Sequence, residues 1–162
     1  MNIIGIDPGN SGSLMRIDAS SGSVWSFLQT EKATERDIVD WLLDHDPSES
    51  FAFLERVGPN RGHGDRKQGA SSMFTFGQSY GFLRGVLIAT GIAFEEVSPQ
   101  KWQAAFNLKR TDKEESTTDK KNRHKSKAQQ LFPAEKITHW KADALLIAEY
   151  GRRVRTQTVE AT

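Results

Sequence analysis

Asn2-Ile3-Ile4-Gly5-Ile6-Asp7-Pro8-Gly9 is a short apolar run that stops at an acid and a turn. It reads as a buried strand ended by Asp-Pro-Gly, which places Asp7 at a strand end. Two further runs, Ser13 to Ile17 and Val24 to Leu28, flank the turn-forming Asp18-Ala19-Ser20-Ser21-Gly22, so the opening third is expected to be an antiparallel meander. A helix follows: Thr34 can cap it, Glu35 and Asp37 suit its first turn, and Ile38, Trp41, Leu42 and His45 share a face before Pro47 stops it. Phe51-Ala52-Phe53-Leu54-Glu55 is then a second apolar strand whose last residue is acidic.

Beyond Glu55, the stretch from Val57 to Ala70 is rich in Gly, Arg and Lys and has little to bury, so it is expected to be a mobile loop serving a site. A long helix from about Ser71 to Thr90 carries Met73, Phe76, Tyr80, Leu83, Leu87 and Ile88. Its Gly77, Gly81 and Gly85 recur every four residues. Each interior glycine costs about 1 kcal/mol, so the stripe predicts close approach of another backbone, either the sheet or a second subunit. Ile92 to Val97 reads as a strand, Pro99 to Phe106 as a short helix, and Leu108 to Asn122 as a polar connection. Helices near Arg123 to Phe132 and Trp140 to Arg153 complete a domain expected over residues 1–155, with a frayed tail over 156–162.

The length of 162 residues suits one domain with a real core. Absence of cysteine excludes a disulfide framework, a thiol nucleophile and thiolate metal sites, so any metal must sit on oxygen or imidazole. No stretch approaches the roughly 18 apolar residues of a membrane span, and no basic leader precedes an apolar run, so no membrane partner and a cytosolic location are expected. The net charge of +1 conceals an uneven distribution. From Lys101 to Lys127, nine Lys or Arg stand against four acids, and Arg56, Arg61, Arg66 and Lys67 oppose only Asp65. Two basic segments on a nearly neutral chain suggest a polyanion held against one face, although solvated loops would give the same pattern.

Three acids occupy special places. Asp7 and Glu55 end apolar strands, and Asp143 lies in the first turn of a helix whose face continues through Ile147 and Tyr150. Buried carboxylates are costly unless paired or metal-bound, so acids ending hydrophobic segments from three distant parts of the chain point to convergence on hard cations. Taken singly, Asp143 could cap its helix and Glu55 could pair with Arg56 or Arg84. A glycine-rich turn after a strand and an acid also opens the phosphate loops of actin-like ATPases and sugar kinases, but 162 residues with one such motif leave no second lobe to close on a nucleotide.

These residues fall in a recognisable order. Ile4-Gly-Ile-Asp-Pro-Gly9, Phe53-Leu-Glu55, Gly77-Gln78 with Gly81 to Gly85, Val97-Ser-Pro-Gln-Lys101-Trp102, Lys125-Ser-Lys127 and Ala142-Asp-Ala-Leu-Leu-Ile-Ala148 resemble the RuvC family of Holliday junction resolvases, in its phage-type branch. The resemblance extends to about Arg153. It implies an α/β, RNase H-like fold with a central mixed five-stranded sheet flanked by helices, a homodimer, and paired nicks across a four-way junction in phage-infected or bacterial cytoplasm. It also implies two Mg²⁺ or Mn²⁺ ions per active site and no small-molecule cofactor. Asp7, Glu55 and Asp143 match the family's metal ligands, and Lys101 and one of Lys125 or Lys127 match its supporting basic positions. Cations so held would activate water for in-line attack and stabilise the departing 3′ oxygen, leaving a 5′ phosphate and a 3′ hydroxyl, with Lys101 and Lys125 offsetting transition-state charge. DNA contacts are expected from Arg56, Arg61, Arg66, Lys67, Lys109, Arg110, Lys120, Lys121, Arg123 and Lys127.

Two departures stand out. The family's fourth ligand, Asp or His three residues ahead of the last Asp, is Trp140 here, and His139 stands one residue further back, at i−4 from Asp143. An imidazole there can serve as the fourth ligand, although Mg²⁺ prefers oxygen. Gly58 stands about where the family has an aromatic wedge. Two rival functions follow: a broad nuclease that trims many branched DNAs, and a module that binds junctions without cutting them.

Overall fold

A computed structural model describes residues 1–9, 11–56, 58, 70–108 and 115–160, with the side chains of 70–72 and 157–160 left out of account. The strands are β1 (Asn2–Asp7), β2 (Ser13–Asp18), β3 (Val24–Gln29), β4 (Ser50–Glu55) and β5 (Ala93–Val97). They form one sheet in the order β3-β2-β1-β4-β5. β1 to β3 make the expected meander, whereas β4 lies parallel to β1 and β5 parallel to β4. The sheet is therefore mixed and five-stranded, as expected.

The helices are α1 (Glu35–Leu43), α2 (Ala70–Thr90), α3 (Pro99–Ala105), α4 (Thr117–Leu131) and α5 (His139–Glu160). Thr34 caps α1 through a reciprocal box with Asp37, and Ser98 and Pro99 start α3. Two of these bounds differ from expectation. α4 begins six residues before Arg123 because the Ser116 hydroxyl accepts from the Asp119 N–H at 3.1 Å, a cap hidden in what reads as a polar connection. α5 continues through Glu160, so the helix includes part of the stretch expected as a tail. None of the helices among the described residues is long and apolar enough to cross a membrane.

Each face of the sheet carries its own core. Ile4, Ile6, Leu14, Ala52 and Leu54 pack against α1 and α2, while Ile3, Met15, Ile17 and Phe53 pack against α3, α4 and α5. Alternate residues of each strand thus serve opposite faces, which is why β1 and β4 read as continuous apolar runs. α5 lies hard against the strands. A Cβ on Gly5 would stand 2.1 Å from the Ala144 carbonyl oxygen, and one on Gly151 would stand 2.2 Å from the Phe53 ring. These two glycines set the separation of helix and sheet. The α2 glycines do not: among the described residues nothing lies within 4 Å of a Cβ built on Gly77, Gly81 or Gly85, so the sheet is not their partner.

Candidate metal centre

The register brings the first two acids together. Ile6 pairs with Leu54 in the parallel β1–β4 ladder, which makes Asp7 and Glu55 the next residues on neighbouring strands. Asp143, one turn into α5 and not in its first turn as expected, reaches the same end of the sheet because the next residue, Ala144, is where the helix meets Gly5. Asp143 lies inside α5 and so does not cap it, while Glu55 accepts from the Trp102 Nε1–H at 2.9 Å and Arg84 pairs instead with Glu96 at 2.6 Å.

Each carboxylate is held by one oxygen. The Gly9 N–H donates to Asp7 Oδ1 at 3.0 Å, Trp102 to Glu55 Oε1, and His124 Nδ1 to Asp143 Oδ1 at 2.7 Å. The second oxygen of all three takes no hydrogen bond among the described residues. Burial, then the charge of Asp143, pushes the Asp7 carboxyl up to about 6, against the opposing pull of the Gly9 N–H, Lys120 and Lys121. Burial, then the charge of Asp7, pushes Glu55 up to about 7, with Asp143 adding to the rise and Trp102 and Lys120 opposing it. Glu55 therefore feels Asp7 and Asp143, and Asp7 feels Asp143, as negative charge that the neighbouring lysines only partly offset.

Among the described residues, no three His, Cys, Asp or Glu side chains close into a finished metal cage. The donor set still suits a hard divalent cation: three carboxylates, each with a free oxygen, and two carrying charge that the protein leaves unneutralised. A cleft beside them is lined by Asp7, Ser11, Gln29, Glu31, Lys121, His139, Trp140 and Asp143. His139 is exposed on its rim, with Nε2 2.9 Å from Asn122 Oδ1. Trp140 packs its ring 5.5 Å from Phe27, and its carbonyl accepts from the Ser13 hydroxyl at 2.8 Å.

The basic residues divide. Lys120 and Lys121 act on the carboxylates, and Lys121 lines the cleft. Lys101 instead pairs with Glu95 at 3.3 Å, and Lys125 lines a separate groove with Asn122, Ser126, Gln129 and Gln130. Neither lines the cleft beside the acids; Lys121, which does, lies one turn before Lys125 on α4. Arg123 is committed internally: it pairs with Glu115 at 2.8 Å and donates to the Leu108 carbonyl, tying α4 to the end of α3. Arg56 is exposed just past β4, Lys127 is half-buried on α4, and Arg61, Arg66, Lys67, Lys109 and Arg110 lie outside the described residues. Sequence reasoning missed His124 altogether. The available signal was its spacing with Ala128 and Leu131 on the inward face of α4, where a histidine is out of place.

No protein-family model and no curated sequence matches the chain. Solved structures do. The chain is similar to Thermus thermophilus RuvC at 15% identity, with 98% of each chain covered and a TM-score of 0.57. It is similar also to T. thermophilus RuvC in complex with Holliday junction substrate, at 16% identity, with 98% of this chain and 97% of that one covered and a TM-score of 0.61. The fold is RNase H-like over essentially the whole chain.

Proposed function

We propose that this protein is a metal-dependent endonuclease that cuts four-way DNA junctions, a RuvC-like resolvase of the phage type working on cytoplasmic DNA. The observation that carries the reading is the convergence of Asp7, Glu55 and Asp143 at one end of the sheet, each with one oxygen held and one free, two of them driven up to about 6 and about 7 by burial and mutual repulsion. An RNase H-like neighbour solved in complex with Holliday junction substrate supplies the substrate class.

In this reading the three carboxylates hold Mg²⁺ or Mn²⁺, two per site. His139 completes the set: with Nε2 donating to Asn122, Nδ1 keeps its lone pair, the usual arrangement of a ligating histidine. Divalent cations supply Lewis acidity for attack of water at phosphorus and for departure of the 3′ oxygen, giving a 5′ phosphate and a 3′ hydroxyl. Lys120 and Lys121, expected as DNA contacts, hold the phosphate backbone over the acids and also offset transition-state charge, the role that the resemblance gave to Lys101 and Lys125. Phe74, Gly77, Gly81, Gly85 and Ile88 recur along α2, and Phe74 and Ile88 are each 68% exposed, which supports a homodimer with one site for each of two nicks.

The test is a labelled four-way junction against matched duplex, with and without Mg²⁺ or Mn²⁺. Paired nicks in the junction only, requiring metal, are expected. Asp7→Asn, Glu55→Gln and Asp143→Asn should each abolish nicking and leave junction binding within a few fold. Binding that collapses together with cleavage in all three would make the acids structural. Equal cleavage of flaps and forks would point to the broad debranching enzyme, and metal-independent binding with no nicking to the non-cleaving module.

A further inference from the structure

Two of the three acids are held by aromatic side chains that touch each other. His124 on α4 is 1% exposed, its Nδ1 lies 2.7 Å from Asp143 Oδ1, and its Nε2 has no partner among the described residues. The proton of that hydrogen bond belongs on Nδ1, since the carboxylate oxygen accepts. Trp102 on α3 is fully buried, and its only polar atom, Nε1, donates to Glu55 Oε1 at 2.9 Å. The two rings meet edge to face, with centroids 5.3 Å apart and planes at 74°. A continuous chain thus runs from Glu55 through Trp102 and His124 to Asp143, joining β4, α3, α4 and α5 inside one core.

We infer that Trp102 and His124 are a coupled pair of positioning residues, which fix the orientation and separation of Glu55 and Asp143 so that both can serve one cation site. The chemistry asks for such a device. Two carboxylates that repel each other turn away unless each is held by a donor, and a donor that is itself free to rotate holds nothing. Indole and imidazole packed edge to face each block the other's rotation, and neither can leave without stranding a buried polar atom. The free oxygens, Glu55 Oε2 and Asp143 Oδ2, then keep a fixed relation before any cation arrives. Asp7 needs no such help, because a backbone N–H two residues away orients it.

The inference rests on the metal-site reading, and calorimetric titration of the full chain with Mn²⁺ alone separates the two. Trp102→Phe keeps a ring and loses the donor. His124→Ala loses both, and His124→Asn restores an N–H near the Nδ1 position. We expect Trp102→Phe and His124→Ala each to weaken Mn²⁺ binding by about 10- to 100-fold. His124→Asn should recover to within a few fold of the parent, and the double variant Trp102→Phe/His124→Ala should lose less than the product of the single losses. Melting temperatures without metal, and junction binding without metal, report whether each variant is folded. A parent chain that binds no Mn²⁺ would end both readings. Parent-like Mn²⁺ affinity in folded Trp102→Phe and His124→Ala would end this one alone, as would losses that multiply, which would make the two side chains independent.

Discussion

A carboxylate at the end of a hydrophobic strand is a cost that something must offset, and the titration of Asp7 and Glu55 makes that cost measurable. Both are raised above their ordinary values, to about 6 and about 7, so the folded protein binds their protons more tightly than the unfolded chain does. The sign follows: their contribution to stability is full at a pH below the ordinary carboxylate values of 3.8 and 4.5 and is lost as pH rises through about 6 and 7. Metal-free protein should therefore melt a few degrees higher near pH 5 than near pH 8. Asp7→Asn and Glu55→Gln should melt above the parent at pH 8 and flatten the profile, while added Mn²⁺ should raise the parent at pH 8 and not the variants. Profiles identical in parent and both variants would show that the charges cost nothing. At the cleft rim, His139→Ala should slow nicking at least tenfold, about 1.4 kcal/mol of transition-state stabilisation, and full retention of rate at every metal concentration would leave the site to its carboxylates.

At the scale of elements, the site depends on how closely α5 lies on β1 and β4. A methyl on Gly5 meets main-chain atoms of Ala144 and Ala148 that cannot give way without moving the whole helix, and Asp143 moves with it. Gly5→Ala should cost about 1 to 3 kcal/mol by overpacking and reduce nicking out of proportion to the lost stability. Activity that survives in a folded Gly5→Ala protein would show that the site tolerates a displaced α5. α4 contributes charge through its first two turns. Lys120→Gln and Lys121→Gln should each weaken junction binding and lower the slope of log affinity against log salt by about 1, with Lys125→Gln changing it less. Equal slopes for all three lysines would remove the distinction between the faces of α4.

Over the whole molecule, the exposed face of α2 is the feature that a single chain does not explain. Glycines in the middle of a 21-residue helix weaken it, and no part of the chain among the described residues makes use of the space they leave. A second copy packing along the stripe would, so sedimentation at micromolar concentration should report a dimer. Gly81→Leu should shift it toward monomer and convert paired nicks to single ones. A parent chain that sediments as a monomer, free and on junction DNA, would remove this assembly.

The strands, their order along the chain and the three acids were legible because they are local facts. An apolar run ended by an acid reads the same in the sequence as in the fold, and the mixed sheet follows from a meander and two later strands once the resemblance supplies the topology. The start of α4 was hidden because Ser116 and Asp119 look like polar loop until the hydrogen bond between them is seen. Spacing could not assign the lysines or His124. Lys120, Lys121 and Lys125 are chemically alike, and which of them faces Asp7 depends on how α4 is rotated about its axis, a quantity fixed by the packing of His124 and Ala128 against α5 and the sheet, while Lys101 on α3 is drawn to Glu95. The partners of the acids were beyond sequence for the same reason: Trp102 is 47 residues from Glu55 and His124 is 19 from Asp143, and only the folded core brings each donor to its oxygen.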